Sequence, residues 1–328
     1  EPTTIQAKTI PFLLNNDHDL IALAQTGTGK TAAFGLPIFQ QLETAKKPQA
    51  LILCPTRELC LQITNDFEQL SKNLKDVKVT PVYGGTDIGK QIKALKSGPE
   101  VVVGTPGRVL DLINREKLDL SGIKWAVLDE ADEMLSMGFK EELDAILSKT
   151  PDEKQTLLFS ATMPKEISRL ASNYMSNPEE IVAGSKNKGT TNVHHHYCLV
   201  KNFDRFKALQ RIIDYNPGIY SIIFCRTKND TREVAEQLAQ KGYQAEALNG
   251  DLSQAQRDRV MNMFRKKQLN LLVATDVAAR GLDVDDLTHV INYNLPDDPE
   301  NYIHRSGRTG RAGKYGVSLS ILTPSEKF

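Results

Sequence analysis

Short, almost wholly apolar runs alternate with helix-like stretches along this chain, first over residues 20–160 and again over residues 194–322. A run such as Val101-Val-Val-Gly104 carries no polar alternation, so both faces of the strand it forms have to be covered. Apolar strands separated by helices meet that demand as a parallel sheet with helices on both sides. The first series predicts strands at 20–24, 50–54, 77–82, 101–104, 125–129 and 156–160, with helices at 58–71 and 141–148. Residues 184–192 are polar, Gly-containing and aperiodic, and read as a linker. Alternation restarts with predicted strands at 194–200, 221–225, 245–249, 271–275, 290–294 and 317–322. The expectation is an α/β protein of two domains, 1–183 and 193–328, with a cleft between them. In open sheets of this kind ligands bind beyond the carboxyl ends of the strands, which is where the polar motifs fall.

Composition narrows the setting. Of 328 residues, 40% are hydrophobic and 25% charged, as in soluble globular proteins. No apolar run approaches the roughly 20 residues that cross a bilayer, and Glu1-Pro2 opens no signal-peptide pattern, so a cytoplasmic location off the membrane is expected. Cys54, Cys60, Cys198 and Cys225 are scattered without a Cys-x-x-Cys pair, as reduced thiols would be. The zero net charge hides an asymmetry. Residues 1–183 hold 20 Lys/Arg against 25 Asp/Glu, net −5, and residues 184–328 hold 21 against 16, net +5. Local positive potential is what a nucleic acid needs, so the balance permits such a partner without demonstrating it.

The motifs carry the chemistry. Ala24-Gln25-Thr26-Gly27-Thr28-Gly29-Lys30-Thr31 lies between a predicted strand and a predicted helix. Gly27 and Gly29 let backbone N–H groups surround phosphate oxygens, Lys30 reaches the β/γ-phosphates, and the Thr31 hydroxyl can ligate Mg²⁺. Ala24 stands where the general phosphate-loop pattern has Gly. Asp129 and Glu130, at the end of an apolar strand, suit metal binding and activation of the attacking water. Taken alone, the same acids also suit a helix N-terminus. Ser160-Ala-Thr162 offers two hydroxyls at a strand end, either bridging the acids or capping the next helix. Pro55-Thr56-Arg57, Gly84-Gly85 and Thr105-Pro106-Gly107-Arg108 fall at turns and combine hydroxyls, glycines and arginines, groups that hold phosphates without reading sequence but that also build ordinary turns. Three successive histidines, 194–196, point to alternate faces of a strand and do not converge on one metal.

Together these residues, with Asp129-Glu130-Ala131-Asp132 at their centre, resemble the DEAD-box RNA helicases, and the likeness runs from Glu1 to about Ser325. It implies two tandem RecA-like parallel-sheet domains acting on ATP and Mg²⁺. Gln6 matches the family's adenine-reading glutamine, and Ala24 matches the residue common there in this family. Ser160 and Thr162, with Asp132 and His304, match residues that couple the nucleotide site to strand separation. The loops at Thr56-Arg57, Gly84-Gly85 and Thr105–Arg108 match RNA contacts, as do Arg226, Gln254, Arg257 and Thr275 in the second half. Asp283 is implied at the ribose. In Tyr302-Ile-His304-Arg305-Ser-Gly-Arg308-Thr-Gly-Arg311 the two arginines three apart are expected on one helical face, meeting the γ-phosphate as arginine fingers. Cys60 and Ser306 stand where the family commonly carries Ala and Ile. The implied activity is local separation of short RNA duplexes by a monomeric core. An RNA clamp that does not unwind stays open, whereas Gln6 and Asp132 argue against the related processive branch with Asp-Glu-x-His.

Overall fold

The computed structural model describes residues 1–25, 27–43, 45–74, 77–183, 192–279, 282, 284, 286–310 and 314–326. The chain divides into two compact units, Glu1–Asn187 and Lys188–Phe328.

In the first unit seven strands, β1 (Leu20–Ala24), β2 (Ala50–Leu53), β3 (Val79–Val82), β4 (Val101–Gly104), β5 (Trp125–Leu128), β6 (Gln155–Ser160) and β7 (Glu179–Ala183), form one sheet. Its order is β3-β4-β2-β5-β6-β1-β7, and its pairings are parallel. The covering of both faces is visible residue by residue. Leu51 and Leu53 of β2 enter one apolar core, with Val109, Met134 and Ile167. Ala50 and Ile52 of the same strand enter the other, with Phe34, Ile63 and Phe67. This is the period of two of a strand, with a hydrophobic partner on either side. β7 was not expected. It lies at the edge, begins with exposed Glu179 and Glu180, and has only three apolar residues, all half-buried, so its sequence lacks the signal of a central strand.

The second unit repeats the plan with β8 (Val193–Leu199), β9 (Ser221–Phe224), β10 (Ala245–Leu248), β11 (Leu271–Ala274), β12 (His289–Asn292) and β13 (Gly316–Leu322). The order is β10-β11-β9-β12-β13-β8, again parallel. Ile222 and Phe224 face one core and Ile223 and Cys225 the other. Of the expected linker, 184–191 lie outside the described residues. Because the strands of each sheet run one way, the turns that follow them gather along one edge of that sheet. Residues far apart in sequence are thereby brought together.

Among the described residues no helix is long and apolar enough to cross a membrane. The four cysteines are free thiols. His194 stacks on Tyr315, and the His195 Nδ1 lies 2.7 Å from the Tyr302 hydroxyl, so these rings are engaged with aromatic neighbours of their own unit.

Candidate nucleotide and RNA sites

The turn after β1 is shaped by two glycines in the left-handed region, Gly27 at φ 75° and Gly29 at φ 84°. Gly29 is also the N-cap of the helix Lys30–Gln41 and supplies no side-chain acceptor for the first-turn N–H groups. Those donors and the helix dipole make an anion site. A Cβ on Gly29 would come within 2.4 Å of the Gln6 Nε2, so another residue there strains the backbone and displaces the Gln6 amide. Gln6 itself closes the capping box of the helix Thr4–Asn15, accepting from Thr3 N at 3.0 Å, and donates from Nε2 to the Gly29 carbonyl at 3.1 Å. Its amide therefore fastens the first helix to the phosphate turn. One N–H and one lone pair remain for a ligand. Thr28 is held by its hydroxyl on the Gln25 carbonyl at 2.8 Å. Ala24 is buried in β1, and Thr31 is half-buried in the first helical turn. Thr26 lies outside the described residues.

Lys30 is 6% exposed, and its Nζ has no hydrogen-bond partner among the described residues. Its nearest opposite charge is the Asp129 Oδ1 at 3.8 Å, too long for a hydrogen bond. A buried ammonium left this way is costly unless an anion joins it. Asp129 is also buried, and burial raises its carboxyl pKa against the pull of Lys30 and a bond from Glu130 N. Both charges fit a triphosphate with a hard divalent cation. Mg²⁺ typically takes only one or two protein carboxylates, the remainder being phosphate and water. Among the described residues no group of three or more His, Cys, Asp or Glu could hold a metal ion.

The sign of the Asp129 shift makes a prediction. A carboxyl whose folded pKa is raised contributes its stability at acid pH and loses it as pH rises through the folded value. At neutral pH, without nucleotide, ionised Asp129 thus weighs against folding. Asp129→Asn is expected to raise the melting temperature at neutral pH, the gain narrowing as pH falls. Thermal melts across pH check this, and a variant no more stable at neutral pH refutes it.

Glu130 sits in the left-handed region at φ 52°, ψ 51°, between β5 and the helix Ala131–Ser136, and is 6% exposed. For a side chain of this type such a conformation costs about 1–2 kcal/mol, and the turn tolerates it while presenting Glu130 beside Asp129. Asp132 faces the next strand end. Its Oδ2 accepts from Ala161 N at 3.2 Å, Thr162 N at 2.9 Å and the Thr162 hydroxyl at 2.8 Å. The Ser160 hydroxyl donates to the Thr162 carbonyl at 2.7 Å. Thr162 thus bonds an acid of the motif, Asp132, while the Ser160 hydroxyl is turned to the Thr162 backbone. The helix Lys165–Tyr174 is capped at Pro164 with no side-chain bond.

Three further turns lie on the same sheet edge. Thr56 caps the helix Arg57–Ser71, accepting from Leu59 N at 3.2 Å, and follows buried Pro55. Thr105 caps the helix Pro106–Asn114 with its hydroxyl unused in the cap, and a Cβ on Gly84, Gly85 or Gly107 would meet nothing within 4 Å. These backbones are open to an approaching ligand. Cys60 fits its site by donating from Sγ to the Val103 carbonyl.

In the second unit Arg226 is exposed, donating from its backbone N to the Asn294 Oδ1 at 3.1 Å and pairing with Asp297 at 3.2 Å. Gln254 opens the helix Gln254–Arg265, as expected, and Arg257 reaches the Ala278 carbonyl at 3.4 Å. The Thr275 hydroxyl accepts from Ala278 N at 3.3 Å. Arg308 corrects the helical expectation. The helix Pro299–Ser306, which carries His304, ends before it. Arg308 N bonds the Arg305 carbonyl in a turn, and Gly310 follows at φ 71°. Two glycines, Gly307 and Gly310, break the repeat that a helical face requires. The Arg308 guanidinium is buried and donates to the Leu282 carbonyl at 3.1 Å. Arg311 and Asp283 lie outside the described residues. No sequence signal had singled out Arg305, which is 2% exposed, grips Asp276 through Nε and Nη2 at 2.5 and 2.7 Å, and bonds Asn292 and Asn294. Nor had any singled out Gln91, which holds Arg108.

Two tandem RecA-like sheets, one bearing a Gly-rich phosphate turn opposite a pair of strand-end acids, define a nucleotide-dependent motor fold. The DEAD/DEAH box helicase family matches residues 3–170, and the helicase conserved C-terminal domain matches residues 204–313. The chain belongs to the DEAD/DEAH box helicases. The DEAD-box ATP-dependent RNA helicase CshA of Geobacillus kaustophilus is 50% identical over 327 residues, covering 99% of this chain and 70% of the relative. That of Bacillus subtilis is 48% identical over 328 residues, covering 100% and 66%, so the chain spans about two thirds of these relatives. Among solved structures, S. cerevisiae Dbp5 bound to RNA and ADP BeF3 superposes with TM-score 0.89 at 34% identity, covering 98% of this chain and 84% of that one. A DEAD box protein from Methanococcus jannaschii is 48% identical with TM-score 0.58, covering 99% and 88%.

Proposed function

We propose that this chain is the core of a cytoplasmic ATP-dependent RNA helicase, which uses ATP binding and hydrolysis to separate short RNA duplexes locally. The observation that carries the reading is the buried, unbonded Lys30 Nζ facing Asp129, a charge arrangement that calls for a phosphate. Lys30 and the N–H groups from Gly27 to Thr31 hold the triphosphate. Gln6 reads adenine with its remaining N–H and lone pair, and Asp283 holds the ribose. Thr31 and Asp129 hold Mg²⁺, which when bound neutralises phosphate charge. Glu130 orients the attacking water and takes its proton. Arg308 and Arg311, supplied by the second unit, stabilise transition-state charge on the γ-phosphate. Asp132, Ser160, Thr162 and His304 transmit the state of that site to the RNA-facing loops. Those loops are Thr56-Arg57, Gly84-Gly85 and Thr105–Arg108 in the first unit and Arg226, Gln254, Arg257 and Thr275 in the second. Contacts to phosphate and sugar leave little sequence preference, and contacts to the 2′-OH favour RNA over DNA.

Steady-state ATP hydrolysis with and without RNA tests the reading directly. Stimulation by RNA and not by single-stranded DNA is expected. Equal rates under all three conditions overturn it. Release of a short labelled RNA duplex in ATP is expected as well, and hydrolysis with no release assigns the chain to RNA clamping instead.

A further inference from the structure

The turn after β3 and the turn after β4 meet on a side chain that neither turn contains. Gln91, in the first half of the helix Ile88–Leu95, is 8% exposed. Its Nε2 donates to the Tyr83 carbonyl at 3.0 Å and to the Thr86 hydroxyl at 2.9 Å, residues on either side of Gly84-Gly85. Its Oε1 accepts from the Arg108 Nη1 at 3.0 Å. The Arg108 Nη2 completes the ring by donating to the Thr86 carbonyl at 3.1 Å. The Tyr83 ring also carries the Arg57 guanidinium 5.1 Å from its centroid, so the turn after β2 leans on the same segment.

We propose that Gln91 is a positioning residue that locks the Gly84-Gly85 turn and Arg108 into one preformed surface for an RNA backbone. The proposal rests on the reading of these turns as RNA-binding and extends it to a residue that would not touch RNA. The chemistry selects an amide. Both Nε2 hydrogens are consumed by acceptors of the Gly-Gly turn while Oε1 faces a cation, so three of its four valences are used with donors and acceptors in opposite directions. A carboxylate can keep the Arg108 bond but has no hydrogen for Tyr83 or Thr86. Methionine keeps the volume and loses all three bonds. The bonds to Arg108 come from neutral oxygens, so they fix its guanidinium without neutralising it. The open backbone at Gly84 and Gly85 stays presented beside that positive charge. Holding the loops in place beforehand removes an ordering cost from RNA binding.

The test is RNA-stimulated ATP hydrolysis by the intact chain, titrated with a single-stranded RNA at several salt concentrations. Gln91→Met is expected to raise the RNA concentration for half-maximal stimulation about 3- to 10-fold, as when the cost of ordering a side chain returns to the binding step. kcat at saturating RNA should be retained. Combined with Arg108→Ala it should cost little beyond Arg108→Ala alone, since both break one unit. Gln91→Glu is expected to weaken RNA binding and to reduce the salt dependence by about one charge, because Arg108 becomes ion-paired. If Arg108→Ala raises half-saturation while Gln91→Met does not, the positioning role is wrong and the RNA reading stands. If neither moves it, the RNA reading of these turns fails. If Gln91→Met lowers kcat and the melting temperature with half-saturation unmoved, the residue is scaffold only.

Discussion

Replacing Glu130 with Gln is expected to cut RNA-stimulated ATP turnover by about 10²- to 10⁴-fold, the range that a positioned general base contributes. The substitution changes charge and proton affinity while leaving volume almost intact. The buried turn at φ 52° and the Asp129 bond to its N–H should survive it. Nucleotide binding is proposed to rest on Lys30 and the glycine turn, so it should survive too. The variant is then expected to load ATP and RNA and not release them, seen as long-lived RNA retention in ATP with little phosphate produced. Lys30→Ala has the opposite signature. It removes the buried cation, so nucleotide affinity itself falls and no ATP-dependent RNA retention develops. Wild-type phosphate release by Glu130→Gln would show that water is activated elsewhere.

The fold was legible because its strands are buried on both faces. Runs such as Ala50-Leu-Ile-Leu53 and Val101-Val-Val-Gly104 are apolar throughout and too short for a typical helix, and they appear as β2 and β4 within a residue of expectation. β7 was not legible, since an edge strand that opens with two exposed glutamates lacks the signal that marks a central one. At the site, the glycine turn and the strand-end acids were readable from spacing because local backbone sets their geometry. Ser160 and Thr162 were ambiguous on chemistry alone. Thr162 meets Asp132, some thirty residues earlier and after a neighbouring strand, a pairing that local chemistry does not announce. Gln91 and Arg305 were invisible for a related reason. Each acts through bonds to partners many residues away, Arg108 in one case and Asp276 in the other, and a single sequence does not record such pairings. Arg308 was misplaced because spacing of three was read as helix, when Gly307 and Gly310 end the helix first.

The turn that holds Arg308 also sets how much it can contribute. On a helix face Arg308 would be one of several exposed cations. In its turn it is 6% exposed, with Nη1 fixed on the Leu282 carbonyl, so its guanidinium has a set position before any ligand arrives. A preset cation is worth more to a charged transition state than one that must be ordered first. Arg308→Ala is therefore expected to lower RNA-stimulated kcat by about 10³-fold or more, as loss of an arginine finger does elsewhere. Nucleotide affinity without RNA belongs to the other unit and should persist. Arg308→Lys keeps the charge but not the planar fork or the Leu282 tether, so it should recover only a small part of the rate. The pair of variants separates two causes. Full recovery by Lys means that charge alone acts there, whereas wild-type turnover by Arg308→Ala removes the residue from the reaction. A loss in both, with RNA-free nucleotide binding intact, leaves a guanidinium that acts on the transition state and not on nucleotide binding.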